Sequence, residues 1–163
     1  MRTPANIARH PIHPMLVPLP IGLWLFSFAC DVIALFVANP ENWKTVALYA
    51  MVGGIIGALA AAIFGFIDLV SLPTGIRRTG LMHMVINLTI VVLFLVNAWL
   101  RIGSSDAGAG SAGLVWLSLI AILLLVVSGW LGGKMVYTSG VAVDTETICA
   151  VGNDRLEEHP QNT

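Results

Sequence analysis

The stretch His10-Pro-Ile-His13-Pro-Met15-Leu-Val-Pro18-Leu-Pro20-Ile21 is where this chain passes from polar to apolar. Two histidines and four prolines stand at the head of the run Met15–Ala38. Three more runs of similar character follow, Val46–Val70, Leu81–Leu100 and Leu114–Tyr137. A helix needs about 20 apolar residues to cross the hydrocarbon core of a bilayer, and each run meets that length. In lipid only helices and closed barrels satisfy their own backbone hydrogen bonds. The runs are continuous rather than alternating, which excludes a barrel. Short connections between successive spans then predict an all-α, integral membrane, up-down-up-down four-helix bundle.

Composition agrees. Of 163 residues, 57% are hydrophobic and 10% charged, against about 25% charged in soluble domains. The net charge of −1 offers no basic patch for nucleic acid. Cys30 lies in an apolar run and Cys149 in the polar tail, so they are poor disulfide partners, and no CxxC or Cys/His zinc spacing is present. Arg2 and Arg9 resemble the n-region of a signal peptide, but Met15–Ala38 far exceeds the usual h-region of about 7–15 residues.

The expected organisation is a four-span domain over residues 1–138 and a polar, mixed-charge tail over 139–163. The helices are expected at about 15–38, 46–70, 81–100 and 114–137. Proline is tolerated in a first helical turn, so the first regular helix is expected to start between residues 14 and 18. Asn39-Pro40-Glu41-Asn42 reads as a turn, Ser71–Gly80 as a polar loop and Ile102–Gly113 as a flexible one. Trp43, Trp99, Trp116, Trp130 and Tyr137 are candidate interface aromatics. The ladder Gly53, Gly57, Ala61, Gly65 and the pair Gly129-xxx-Gly133 suit close helix–helix approach.

Lysine and arginine fix the expected orientation. Arg2, Arg9, Arg77, Arg78, Lys134 and Arg155 fall on one side, and Lys44 and Arg101 on the other. The positive-inside rule therefore places both termini in the cytoplasm. On that topology His10, His13, Asp68, His83, Asn87 and Lys134 gather toward the cytoplasmic ends of the helices. Asn87, four residues after His83, shares its helical face. Asp31 lies deeper, toward the outer half, where a neutral, protonated carboxyl bonded to backbone or a neighbouring helix is expected. Asp68 and Lys134 are placed to snorkel or to pair. Ionisable groups inside a membrane are costly, so they mark candidate sites. His13 and His83 are candidate axial ligands for a haem, with the glycines leaving room for a flat group. His10, His13, Asp68 and His83 form an alternative mixed nitrogen/oxygen metal set.

Four stretches carry a resemblance: His10-Pro-Ile-His-Pro-Met-Leu-Val-Pro-Leu-Pro20, Gly65-Phe-Ile-Asp68, His83-Met-Val-Ile-Asn87, and Ser128-Gly-Trp-Leu-Gly-Gly-Lys134 continuing to Val143. Over residues 8–143 the chain resembles the bacterial membrane family known as domain-of-unknown-function family 2231. The resemblance implies a four-helix inner-membrane protein and no established activity. Some relatives are joined to Rieske-type iron–sulfur domains, which implies a redox setting, but this chain lacks the Cys/His pairs of such a cluster.

The expected function is that of a small multi-pass inner-membrane protein, redox-associated, holding haem b or a transition metal in a cytoplasmic-side His/Asp layer. Two alternatives stand beside it: a small proton or solute permease using Asp31, Asp68, His83 and Asn87, and a non-catalytic accessory subunit, in a homo-oligomer or a larger membrane complex. Catalysis is not indicated. There is no GxSxG, no Gly-rich phosphate loop and no nucleophile beside a base at a recognisable spacing.

Overall fold

The computed structural model describes residues 3–103 and 112–143. Arg2, Arg155, Cys149, most of the 139–163 tail and most of the Ile102–Gly113 loop lie outside the described residues. The chain opens with a two-stranded antiparallel hairpin, β1 (Asn6–Ile7) and β2 (His10–Pro11), in the register Asn6 to Pro11 and Ile7 to His10. Five helices follow: α1 (Ile12–Leu16), α2 (Pro18–Ala34), α3 (Glu41–Ser71), α4 (Thr74–Gly103) and α5 (Ala112–Ser139).

α1 and α2 form one span of 23 residues, Ile12–Ala34. Pro18 has no N–H to bond back into the preceding turn, so the ladder skips there. Val17 nevertheless keeps helical angles (φ −54°, ψ −37°), and its N–H reaches His13 O at 3.1 Å. The prolines therefore sit where a missing donor costs least. With α3, α4 and α5 this gives four helices long and apolar enough to cross a membrane.

α3, α4 and α5 are longer than the apolar runs that mark them, whereas the first span runs Ile12–Ala34 and ends short of the expected residue 38. α3 starts at Glu41, directly behind Pro40, with an acid in its first turn where the helix dipole favours it. Ser71–Gly80 is not a loop. Leu72 alone is extended (ψ 140°), as the residue before a proline must be. Pro73 O then accepts from Ile76 and Arg77 N–H, so Arg77 and Arg78 ride on α4. Hydropathy marks how much of a helix lies in lipid; proline and caps decide where the helix stops. Gly140, at φ 62°, closes α5, its N–H bonding Val136 O at 3.0 Å.

Each helix packs against its sequence neighbours, and α2 against α5, which closes the up-down-up-down ring. The core is centred on Trp24 and Phe94, stacked at 4.5 Å and 16°. Met51, Ile55, Ile90, Ile122 and Leu125 surround them. Gly54 makes the stack possible, because a Cβ there would stand 2.5 Å from Trp24 Cδ1. The outer faces of all four spans carry large apolar side chains, among them Phe26, Ile63, Trp99 and Val126. So much exposed apolar surface has lipid as its solvent.

Candidate functional site

Two polar layers lie inside the bundle, one on each side of the Trp24–Phe94 stack. At the end of the bundle that carries the amino-terminal hairpin, His13 from α1 and His83 from α4 meet edge to face, with ring centroids 6.5 Å apart and planes at 87°. His13 Nδ1–H donates to Ala61 O on α3 at 2.8 Å. A carbonyl can only accept, so Nδ1 carries the proton and Nε2 the lone pair of the neutral ring. His83 Nδ1 lies 3.0 Å from Ser128 O on α5 and 3.0 Å from Ser128 Oγ. Asn87 Nδ2–H donates to His83 Nε2 at 3.1 Å and to His83 O at 2.8 Å. The network assigns the same tautomer to both histidines.

Two glycines admit these rings. A Cβ at Gly65 would lie 2.8 Å from His13 Cε1, and one at Gly132 would lie 3.3 Å from His83 Cε1. The sequence suggested that glycines leave room for a flat ligand. At these two positions the imidazoles themselves fill the room.

The other residues expected in this layer do not converge on it. His10 stands on the exposed hairpin, its Nδ1 2.9 Å from Ala8 O in its own turn. Asp68 is buried, but its Oδ1 accepts Ala5 N–H at 3.0 Å. It anchors the N-terminal hairpin to the end of α3, and among the described residues no ion pair joins it to Lys134. Lys134 is exposed, with Nζ 5.7 Å from the ring centroid of Trp130. Among the described residues no group of three or more His, Cys, Asp or Glu is gathered as a metal site, so His10, His13, Asp68 and His83 do not form one cluster. The reason is local: the strand pairing that carries His10 and the hydrogen bond that occupies Asp68 both belong to the hairpin.

That hairpin turns through Ala8 (φ 49°) and Arg9 (φ 67°). Both are left-handed, the geometry of a tight hairpin that ordinarily takes Asn-Gly. The strain is held by the register on one side and by Asp68 on the other.

The second layer corrects the reading of Asp31. Asp31 is bonded to a neighbouring helix, one of the two expected alternatives, but its partner is an arginine. Arg101 Nη1 and Nη2 reach Asp31 Oδ1 and Oδ2 at 2.7 and 2.6 Å, with both side chains 1% exposed. This two-pronged geometry is that of a guanidinium on a carboxylate. Arg101 Nε–H donates to Asn97 Oδ1 at 2.8 Å. Asn97 Nδ2–H donates to Ser118 Oγ at 2.9 Å and to Leu114 O at 3.0 Å. Hydropathy had placed Arg101 outside the third run, as a flanking charge. α4 instead continues past it, and a position four residues after Asn97 on the same face turns it inward. Asn97 and Ser118 were the residues missed, and Ser128 was noted only as part of the family resemblance. The available signal was the Asn97–Arg101 spacing at membrane depth.

No curated protein and no solved structure matches this chain. A family profile described as a predicted membrane protein does match, over residues 9–145, a span that contains both polar layers and all four membrane-length helices. The chain belongs to that family, DUF2231.

Proposed function

We propose that this protein binds a transition-metal ion between His13 and His83, as a redox-associated component of the bacterial inner membrane. The observation that carries this is the pair of Nδ1 contacts to Ala61 O and Ser128 O, at 2.8 and 3.0 Å. Metal-ligating histidines are commonly fixed in this way: one ring nitrogen donates to a carbonyl and the other keeps its lone pair for the metal. Imidazole pairs suit zinc, copper, nickel or iron. Binding requires Asn87 to turn away from His83 Nε2. The rings occupy the space beside Gly65 and Gly132, which favours a single ion over a porphyrin. Metal analysis of protein purified without added metal, followed by titration with Cu(I) and Zn²⁺, tests the reading. About one ion per chain, lost in His13→Ala/His83→Ala, is expected. No bound metal under any of these conditions overturns it.

The charges support cytoplasmic termini. Arg9, Arg77, Arg78 and Lys134 flank the histidine end. Arg101 is engaged by Asp31, which leaves Lys44 as the flanking cation at the other end among the described residues. Reporter fusions at both termini check this orientation. A continuous proton or solute path within one chain is not supported, because the Trp24–Phe94 core separates the two polar layers. A second reading has one observation behind it. The α3 glycines at 53, 54, 57 and 65 are filled by α1 and α2 side chains, whereas among the described residues no atom comes within 4 Å of a Cβ built at Gly129 or Gly133. That open groove on α5 favours an accessory role, in which α5 docks against a transmembrane helix of another chain. Copurification in mild detergent, with crosslinking from position 129, tests it.

A further inference from the structure

We propose that this protein is one helical hairpin used twice in tandem, α1–α3 followed by α4–α5, and that Asp31–Arg101 is the device that makes the unlike hairpins pair with each other. The two halves show little sequence identity, but their contacts repeat in register. Three contacts cross the bundle between the first helix of one hairpin and the first helix of the other: the His13–His83 rings, the Trp24–Phe94 stack and the Asp31–Arg101 ion pair. In each the partners are 70 positions apart (13 to 83, 24 to 94, 31 to 101). Equal positions on two parallel helices face one another only across a two-fold axis running along the bundle.

The contacts inside each hairpin repeat as well. His13 Nδ1–H bonds Ala61 O, and His83 Nδ1–H bonds Ser128 O. Ser27 Oγ–H bonds Ala47 O, and Asn97 Nδ2–H bonds Leu114 O. The donors are again 70 positions apart, and both acceptor pairs are 67 apart (61 to 128, 47 to 114). Gly65, which clears His13, and Gly132, which clears His83, are also 67 apart. The difference of three means that each acceptor follows its donor three residues sooner in the second hairpin than in the first. No single element requires these coincidences, and two copies of one hairpin produce all of them.

Against that equivalence the charges at 31 and 101 are opposite. Two first hairpins meeting on this axis would bury two carboxylates, and two second hairpins two guanidiniums. Either is strongly unfavourable in a low-dielectric interior. Only first against second is satisfied, so the pair selects the partner by excluding the like combinations. His13 and His83 are then one position seen twice, and a ligand on the axis receives one imidazole from each hairpin. The repeat does not depend on any ion being bound.

Two exchanges in the full chain test this in detergent, read by folded yield and thermal midpoint. Asp31→Arg and Arg101→Asp singly are expected to lower folded yield about tenfold or more, and the double exchange to return it to within about twofold of the parent. The second exchange is specific to the repeat. Gly54 clears Trp24, and the equivalent residue on α5, 67 positions on, is Ala121. Trp24→Phe/Phe94→Trp is therefore expected to fold poorly, and adding Ala121→Gly to restore it to within about twofold. Recovery in both exchanges supports the tandem hairpin. Failure of Ala121→Gly to relieve the Trp24/Phe94 exchange overturns the equivalence. A charge exchange as damaging as the single changes overturns the pairing role of Asp31–Arg101.

Discussion

Arg101 holds both oxygens of Asp31 from the far side of the bundle, through contacts of 2.6 and 2.7 Å. The two residues come from α4 and α2, helices that are not sequence neighbours. Asn97 and Ser118 fill the surrounding hydrogen-bonding sites. A charge pair at this depth is tolerable only with its geometry and neighbours complete.

Removing one partner leaves the other charge buried and unpaired. Arg101→Leu is expected to destabilise by about 3–5 kcal/mol, and Asp31→Leu/Arg101→Leu by clearly less than either single change. Denaturation in detergent micelles, with the double-mutant cycle completed, measures both.

Gly65→Ala places a methyl 2.8 Å from His13 Cε1 and 2.9 Å from Nδ1. The ring must leave Ala61 O, at a cost of about 1–3 kcal/mol. Gly132→Ala, at 3.3 Å from His83 Cε1, is expected to cost less. Imidazole nitrogen chemical shifts report whether each Nδ1–H bond survives.

Gly54→Ala and Gly129→Ala are expected to move stability in opposite directions. A methyl at Gly54 meets Trp24 at 2.5 Å, and overpacking of this kind costs about 1–3 kcal/mol or more. At Gly129 no described atom is near, and alanine gains up to about 1 kcal/mol of helix propensity. Loss rather than gain at Gly129, seen only in native membranes, identifies a partner helix.

Asp68→Ala frees Ala5 N–H and loosens the amino-terminal hairpin. A hydrogen bond to a charged acceptor contributes about 1.5–3 kcal/mol. Hydrogen exchange at residues 5–12 is expected to accelerate while the spans stay protected. Replacing Ala8-Arg9 by Asn-Gly relieves the left-handed strain and is expected to slow the same exchange.

The four spans were legible because lipid imposes a simple rule: residues 15–38, 46–70, 81–100 and 114–137 are apolar without alternation. His13, His83 and Asn87 could be placed at one depth by counting turns from the helix ends. Asp68 was legible as a buried acid but not in its role, since its partner is a backbone N–H that has no sequence signature. Arg101 was misread for a related reason. Hydropathy scores it as a boundary, and only the extension of α4 to Gly103 brings it inside.

The sequence alone determined the class of solvent, the number of crossings and the set of polar residues that need partners, because each follows from local composition and a fixed rise per residue. Which of those residues meet was decided by tertiary structure. Partner choice depends on helix rotation and on where glycines allow close approach, and both are set by packing across the bundle: Gly65 admitting His13, Gly132 admitting His83, and Asp31 meeting Arg101 from seventy positions away.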